Sequence, residues 1–280
     1  MKIDYITDTY KLKNEDIYGV TDYSFWILDG ASPLNKSNYT DELNDVVWMV
    51  NWWNDYLKEN LSNFRNSLFE ILEVGVDKLN CAFAKFIDID CLSKLDRASA
   101  SIAITRINEK KLECFVLGDV EIITKKKTGE LEVLTDHRIE PLDNSVMELI
   151  LSNDNRENEI EFNGYTMKEL ELLQHNRMKM NTADGYYILE HDKKAIKNGI
   201  YREYNIDDVA DILMMTDGYS AIYNKYNKYE KLDLINECKN QGVKRILSYI
   251  RDIELKDNKR EKYKRLKIHD DATAILCEFD

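Results

Sequence analysis

The chain of 280 residues is 44% hydrophobic, enough to bury a core, which excludes general disorder. Fifty-two acidic residues against 39 basic ones leave a net charge of −13, a field that would repel a phosphate backbone and so excludes nucleic-acid binding as a general role. Two prolines and ten glycines exclude collagen-like and low-complexity architectures as well.

Met1 to Tyr5 lacks the basic-then-apolar layout of a secretory signal. No stretch approaches the roughly 18 uncharged apolar residues of a spanning helix, so the expectation is a cytoplasmic protein that engages no membrane. Phe25 to Leu28 predicts a buried strand that stops at Asp29-Gly30. Val46, Val50, Trp53 and Leu57 then recur at helical spacing, and Phe64, Leu68, Leu72, Val76, Leu79 and Phe83 make a second stripe. Trp48, Trp52 and Trp53 sit inside that apolar pattern and are read as core, not as a ligand-stacking surface.

From Ser101 the period changes to two. Strands are expected at 101–107, 112–118, 120–124 and 131–135, the last two joined by a turn at Lys127-Thr128-Gly129-Glu130, which describes an antiparallel meander. Residues 137–182 are strongly charged and mostly helical, with Leu170, Leu173 and Met178 on the apolar face. Gly185 to Leu189 predicts another strand, Ile212 to Thr216 one that runs into Asp217-Gly218, and Leu232 to Ile250 a helix. Lys256 to Lys267 holds seven bases and two acids, read as a solvated loop with an acidic or phosphorylated docking partner as the alternative. Asp270-Asp271 precedes a final strand, Ala272 to Phe279.

The five cysteines (Cys81, Cys91, Cys114, Cys238, Cys277) form no CxxC pair, so neither a zinc knuckle nor a disulfide framework is indicated, and Cys114 and Cys277 fall in strands as buried thiols. Strands and helical pairs interleave without regular βαβ units or a dividing linker. That pattern predicts one α+β domain over residues 1–280, with mostly antiparallel sheets and helices outside.

Asp29-Gly30 and Asp217-Gly218 each end an apolar strand, Gly118-Asp119 interrupts one, and Asp270-Asp271 begins one. Carboxylates on strand ends are firmly placed and can converge, and converging carboxylates need a cation. Oxygen ligands without a histidine or cysteine cluster point to magnesium or manganese. The alternative is that these are ordinary turn residues, since Asp-Gly is a favoured turn pair.

Asn14-Glu15-Asp16, Phe25-Trp26-Ile27-Leu28-Asp29-Gly30, Gly118-Asp119, Met215-Thr216-Asp217-Gly218 and Asp270-Asp271-Ala272-Thr273, in that order, resemble the motifs of the metal-dependent protein phosphatases of type 2C, in a divergent bacterial-type form. Ser99-Ala100-Ser101 and Leu134-Thr135-Asp136-His137 resemble smaller motifs of that family. The resemblance implies two mostly antiparallel β-sheets packed as a central sandwich flanked by helical pairs, with 137–182 as a helical flap. It implies two Mg or Mn ions, with a third in some members. Asp29 would bridge the first two, Gly30 (through its carbonyl) and Glu15 would hold one, with Asp16 acting through water, and Asp217 and Asp270 would hold the other. Asp119 with Asp217 would make the third site. The implied reaction is hydrolysis of phosphoserine or phosphothreonine in a protein, opposing a Ser/Thr kinase, by direct attack of a water shared between the two ions.

Departures from the family pattern bear on activity. Lys11 stands where the family usually has an arginine that grips phosphate, and lysine lacks the bidentate fork. Arg177 is a second phosphate-binding candidate, with a helix-surface arginine as its alternative reading. Ala31 stands where many members have a histidine proposed as the leaving-group acid, and His269 is a candidate stand-in, though a lone histidine at a strand start is more often structural. Asp29, Asp217 and Lys11 are the catalytic candidates. Two rival readings remain open: a weak or inactive relative that binds or regulates a partner, and a hydrolase of small phosphate esters.

Overall fold

The structure, a computed structural model, describes residues 1–35, 38–42, 44–153, 156–160 and 164–279. In chain order the elements are β1 (Lys2–Asp8), β2 (Asp16–Val20), β3 (Ser24–Ala31), α1 (Asp45–Asn60), α2 (Leu68–Phe83), β4 (Ser99–Asn108), β5 (Lys111–Leu117), β6 (Glu121–Lys126) and β7 (Leu131–Leu134). They continue with α3 (Glu140–Leu151), α4 (Arg156–Glu159), α5 (Met167–Met178), β8 (Ile200–Asn205), β9 (Val209–Met215), α6 (Asp217–Asn224), α7 (Lys231–Gln241), α8 (Val243–Lys256) and β10 (Ala272–Glu278). The strands form two antiparallel sheets, ordered β1-β10-β9-β6-β7 and β2-β3-β4-β5-β8. This is the sandwich the motifs imply.

Successive residues of the central strands serve different cores, because side chains alternate across a sheet. Phe25 and Ile27 of β3 point between the sheets, where they meet Val116, Met214 and Ile275. Their neighbours Trp26 and Leu28 pack outward against Val50, Trp53 and Leu72 of α1 and α2. On the other sheet Met214 faces inward, while Leu213 and Met215 meet Ile246 and Ile250 of α8. Each central strand is thus buried on both faces and reads as a continuous apolar run. Trp53 is fully buried, and Trp48 and Trp52 are partly buried against the same core, in line with their reading as packing residues.

Local chemistry sets the helix starts. Asn44 caps α1 by accepting from the Val47 amide, and Ser67 with Glu70 forms a reciprocal capping box on α2. Phe64 lies outside that helix and is exposed, so the predicted stripe begins at Leu68. The expected helix from Leu232 to Ile250 is two helices, divided at Gly242, whose φ of +85° is accessible to glycine at little cost. Gly185 to Leu189 is not a strand. It makes single bridges only, Met180 to Tyr186 and Ala100 to Leu189, and Tyr186, Ile188 and Leu189 are buried without a ladder. Within 137–182, Leu170 and Leu173 are partly buried as expected, but Met178 is exposed and Glu169 and Asn176 are the buried residues of α5.

The basic run is a solvated loop, as expected, and it is folded into a strap by its own hydrogen bonds. Asp257 accepts from the Lys262 and Tyr263 amides and from the Arg265 guanidinium, which also reaches the carbonyls of Asp257, Tyr263 and Ile268. No helix among the described residues is long and apolar enough to cross a membrane.

Candidate metal centre

Asp16 and Asp29 are cross-strand partners in the β2–β3 ladder, so two carboxylates stand side by side where β2 begins and β3 nears its end. Asp29 is opposite Ser101 of β4, and the Ser101 hydroxyl donates to Asp119 at 2.6 Å from the β5–β6 turn. On the other sheet, Thr216 follows β9 and Thr273 lies at the start of β10. The Thr216 hydroxyl accepts from the Thr273 amide at 2.9 Å and donates to Asp16 at 2.8 Å, tying the two sheets together at this corner. Asp217 opens α6 immediately after, and Asp270 precedes β10.

The charges of these side chains act on one another. Burial raises the Asp29 carboxyl well above the ordinary range, and Asp16, Asp217, Asp119 and Asp270 each push it further. Burial and Asp271 raise Asp16, burial and Asp217 raise Asp119, and burial and Asp217 raise Asp270. Asp217 moves the other way: burial opposes its charge, but Lys225 and Lys267 outweigh that and hold it low.

The sequence candidates divide into two groups. Asp16, Asp29, Asp119, Asp217 and Asp270 come together. Glu15 joins the same corner through its backbone, its carbonyl accepting from the Gly30 amide at 3.1 Å, but its carboxylate is taken by Ser32, Asn44 and Lys11. Gly30 is wedged there, since a Cβ would lie 2.4 Å from Val46 and 2.6 Å from the Glu15 carbonyl oxygen. Lys11 is held between Glu15 at 2.5 Å and Asp271 at 2.9 Å. Arg177, at the end of α5, donates to the Ser32 carbonyl at 3.1 Å and to the Ser99 hydroxyl at 3.4 Å, placing it beside the segment that follows Gly30. His269 bonds Glu254 of α8 at 2.9 Å and stacks on Tyr10, so its contacts are structural.

Three participants carried no clear sequence signal. Lys225 reaches Asp217 at 3.3 Å, and Lys267 of the strap reaches Asp270 at 2.6 Å. Asp143 of α3 has its carboxyl raised to about 7 by burial and by Asp119 and Asp217, so its charge is felt by the cluster. Asp271, quoted in the motif only beside Asp270, accepts from Lys11, Thr9 and the Glu15 amide.

Asp16 Oδ1 is buried with no hydrogen-bond partner, and the half-buried Asp29 lies across the ladder from it. An unpartnered anionic oxygen crowded by like charges fits a hard divalent cation, and the donor set is entirely oxygen. Among the described residues, no three acidic, histidine or cysteine side chains close into a cage ready to hold an ion, which is consistent with the lysine contacts on Glu15, Asp217 and Asp270.

A family model described as protein phosphatase 2C matches residues 11–247. The fold is similar to the crystal structure of serine/threonine phosphatase Stp1 from Staphylococcus aureus, with TM-score 0.58 and 13% identity over 100% of this chain and 95% of that one. It is similar to the Mycobacterium tuberculosis serine/threonine phosphatase PstP/Ppp, with TM-score 0.57 and 13% identity over 100% and 98% of the two chains. A PstP catalytic domain in complex with two manganese ions gives TM-score 0.52 and 11% identity over 99% and 97%. At these identities the likeness is one of fold. No curated protein matches the sequence.

Proposed function

The chain belongs to the protein phosphatase 2C family, and from that premise we propose that it is a Mg- or Mn-dependent phosphatase that hydrolyses phosphoserine or phosphothreonine in a protein substrate, opposing a Ser/Thr kinase. The observation that carries this reading is the gathering of Asp16, Asp29, Asp119, Asp217 and Asp270 at one corner, with one buried oxygen of Asp16 left unpartnered. Asp29, with Gly30 and Glu15, would hold one ion, Asp16 acting through water, and Asp217 and Asp270 the other. Asp119 with Asp217 would hold a third. When bound, the ions supply charge neutralisation at the phosphoryl oxygens and a more acidic attacking water.

The chain's own groups position and select. Thr216 fixes the Asp16 carboxylate, and Ser101 fixes Asp119. Lys11 and Arg177 both reach the corner formed by Glu15 and Ser32, where they bring positive charge to a substrate phosphate. Ala31 offers no proton to the leaving group, so aryl phosphates should turn over faster than alkyl ones. Residues 137–182 act as a flap that opens for protein substrates, and the chain works as a single catalytic domain.

The test is hydrolysis of p-nitrophenyl phosphate and phosphopeptides with and without Mn²⁺. Asp29→Asn should lower kcat/KM by about two orders of magnitude or more. A rate that needs no metal would overturn the reading. The lysine ion pairs on Glu15, Asp217 and Asp270 favour a second reading, a catalytically weak relative that binds phosphoproteins. That reading gains if the protein is inert with Mn²⁺ yet retains phosphopeptides. Turnover of small esters and nucleotides but not of peptides would instead identify a small-molecule hydrolase.

A further inference from the structure

We propose that Lys267 is a tethered internal counter-cation that competes with a divalent ion for Asp270. The inference rests on the metal-dependent reading above and concerns how metal reaches the site. Lys267 Nζ donates to Asp270 Oδ1 at 2.6 Å, and the same oxygen accepts the Asp271 amide at 3.0 Å. One oxygen of the carboxylate that the reading assigns to a metal is therefore engaged by an ammonium of the same chain.

The backbone on either side of Lys267 is anchored. Upstream, the Arg265 guanidinium holds Asp257 and takes the Ile268 carbonyl across Lys267 at 3.1 Å. Downstream, His269 is fixed to Glu254 and stacked on Tyr10. Between these anchors the Lys267 side chain is 48% exposed, so its ammonium can swing into water while the strap stays in place. Asp217 and Asp29 also attract Lys267, which places its charge before the whole cluster and not on Asp270 alone. The lysine end of this pair is half-exposed while Asp270 is mostly buried, so water screens the contact from one side only. A dication drawn by the same carboxylates displaces it, and the competition raises the metal concentration at which the site fills.

The experiment is calorimetric titration of Mn²⁺ into the full chain after EDTA treatment and dialysis. It compares wild type with Lys267→Gln, Lys267→Arg and Lys264→Gln, the last an exposed lysine of the same strap. Lys267→Gln should bind Mn²⁺ at least about threefold tighter, the scale of one exposed ion pair, with Lys267→Arg and Lys264→Gln close to wild type. Before metal is added, Lys267→Gln should also melt below Lys264→Gln, and saturating Mn²⁺ should close that gap. Equal affinity for Lys267→Gln and Lys264→Gln overturns the proposal. Weaker Mn²⁺ binding in Lys267→Gln, or unchanged binding with a raised KM for phosphopeptide, also overturns it and assigns Lys267 to substrate. No binding by any of the proteins, wild type included, removes the metal reading itself and is distinguishable for that reason.

Discussion

His191 shows how far burial moves a single side chain here. It packs on Phe83, its Nδ1 lies 2.7 Å from Asn80 Oδ1, and the Asn80 amide donates to the His191 carbonyl. Burial, with the positive charge of Arg97 second, lowers its pKa to about 3. The unfolded chain would bind that proton below about pH 6.5 and the folded chain would not, so stability falls as pH drops from 6.5 toward 3. Each unit within that window removes up to about 1.4 kcal/mol. Urea midpoints at pH 7 and pH 4.5 should therefore differ less in His191→Gln than in wild type, and equal differences would count against this account. The same scale separates the readable from the unreadable parts of the site. Asp29, Asp119, Asp217 and Asp270 stood out because each adjoins a strand end in sequence. Lys225, Lys267 and Asp143 did not, because their charges meet the cluster only through folding, from α6, the strap and α3.

Among the elements, legibility followed position in the sheet. β3, β9 and β10 are central and buried on both faces, so their apolar runs were plain. β1 is an edge of one sheet, and β2 and β8 are the edges of the other. Their mixed burial leaves no clean alternation, and none was anticipated. β7, also an edge, was legible through the turn at Gly129. The α7–α8 break was hidden because Leu232, Ile235, Cys238, Ile246 and Ile250 keep an apolar spacing across Gly242. That glycine sets the start of α8 against β1, where the Val243 amide donates to Asp4 at 2.9 Å. Gly242→Ala should destabilise by about 1–2 kcal/mol through its positive φ. A shifted urea midpoint with unchanged Mn²⁺ affinity is the expected result.

Across the whole molecule, two helical layers and two sheets hold the aspartates together against their own repulsion. The scaffold thus trades stability for the site. Asp29→Asn should melt higher than wild type in EDTA, because it removes a carboxylate whose charge is opposed by burial and by Asp16, Asp217, Asp119 and Asp270. In Mn²⁺ the order should reverse, since bound ligand stabilises only the protein that takes it up. Parallel melting curves with and without Mn²⁺ would show that Asp29 holds no ion.

β10 lies between β1 and β9, with Lys2 opposite Glu278 and Met215 opposite Ala274. It is the last of these strands to leave the ribosome. Until residues 272–278 clear the exit tunnel, β1 and β9 each wait with a bare edge, and nascent chains are exposed there to mispairing with their polysome neighbours. Asp270 and Asp271 emerge in the same interval, so the acidic corner can assemble only after elongation has passed them.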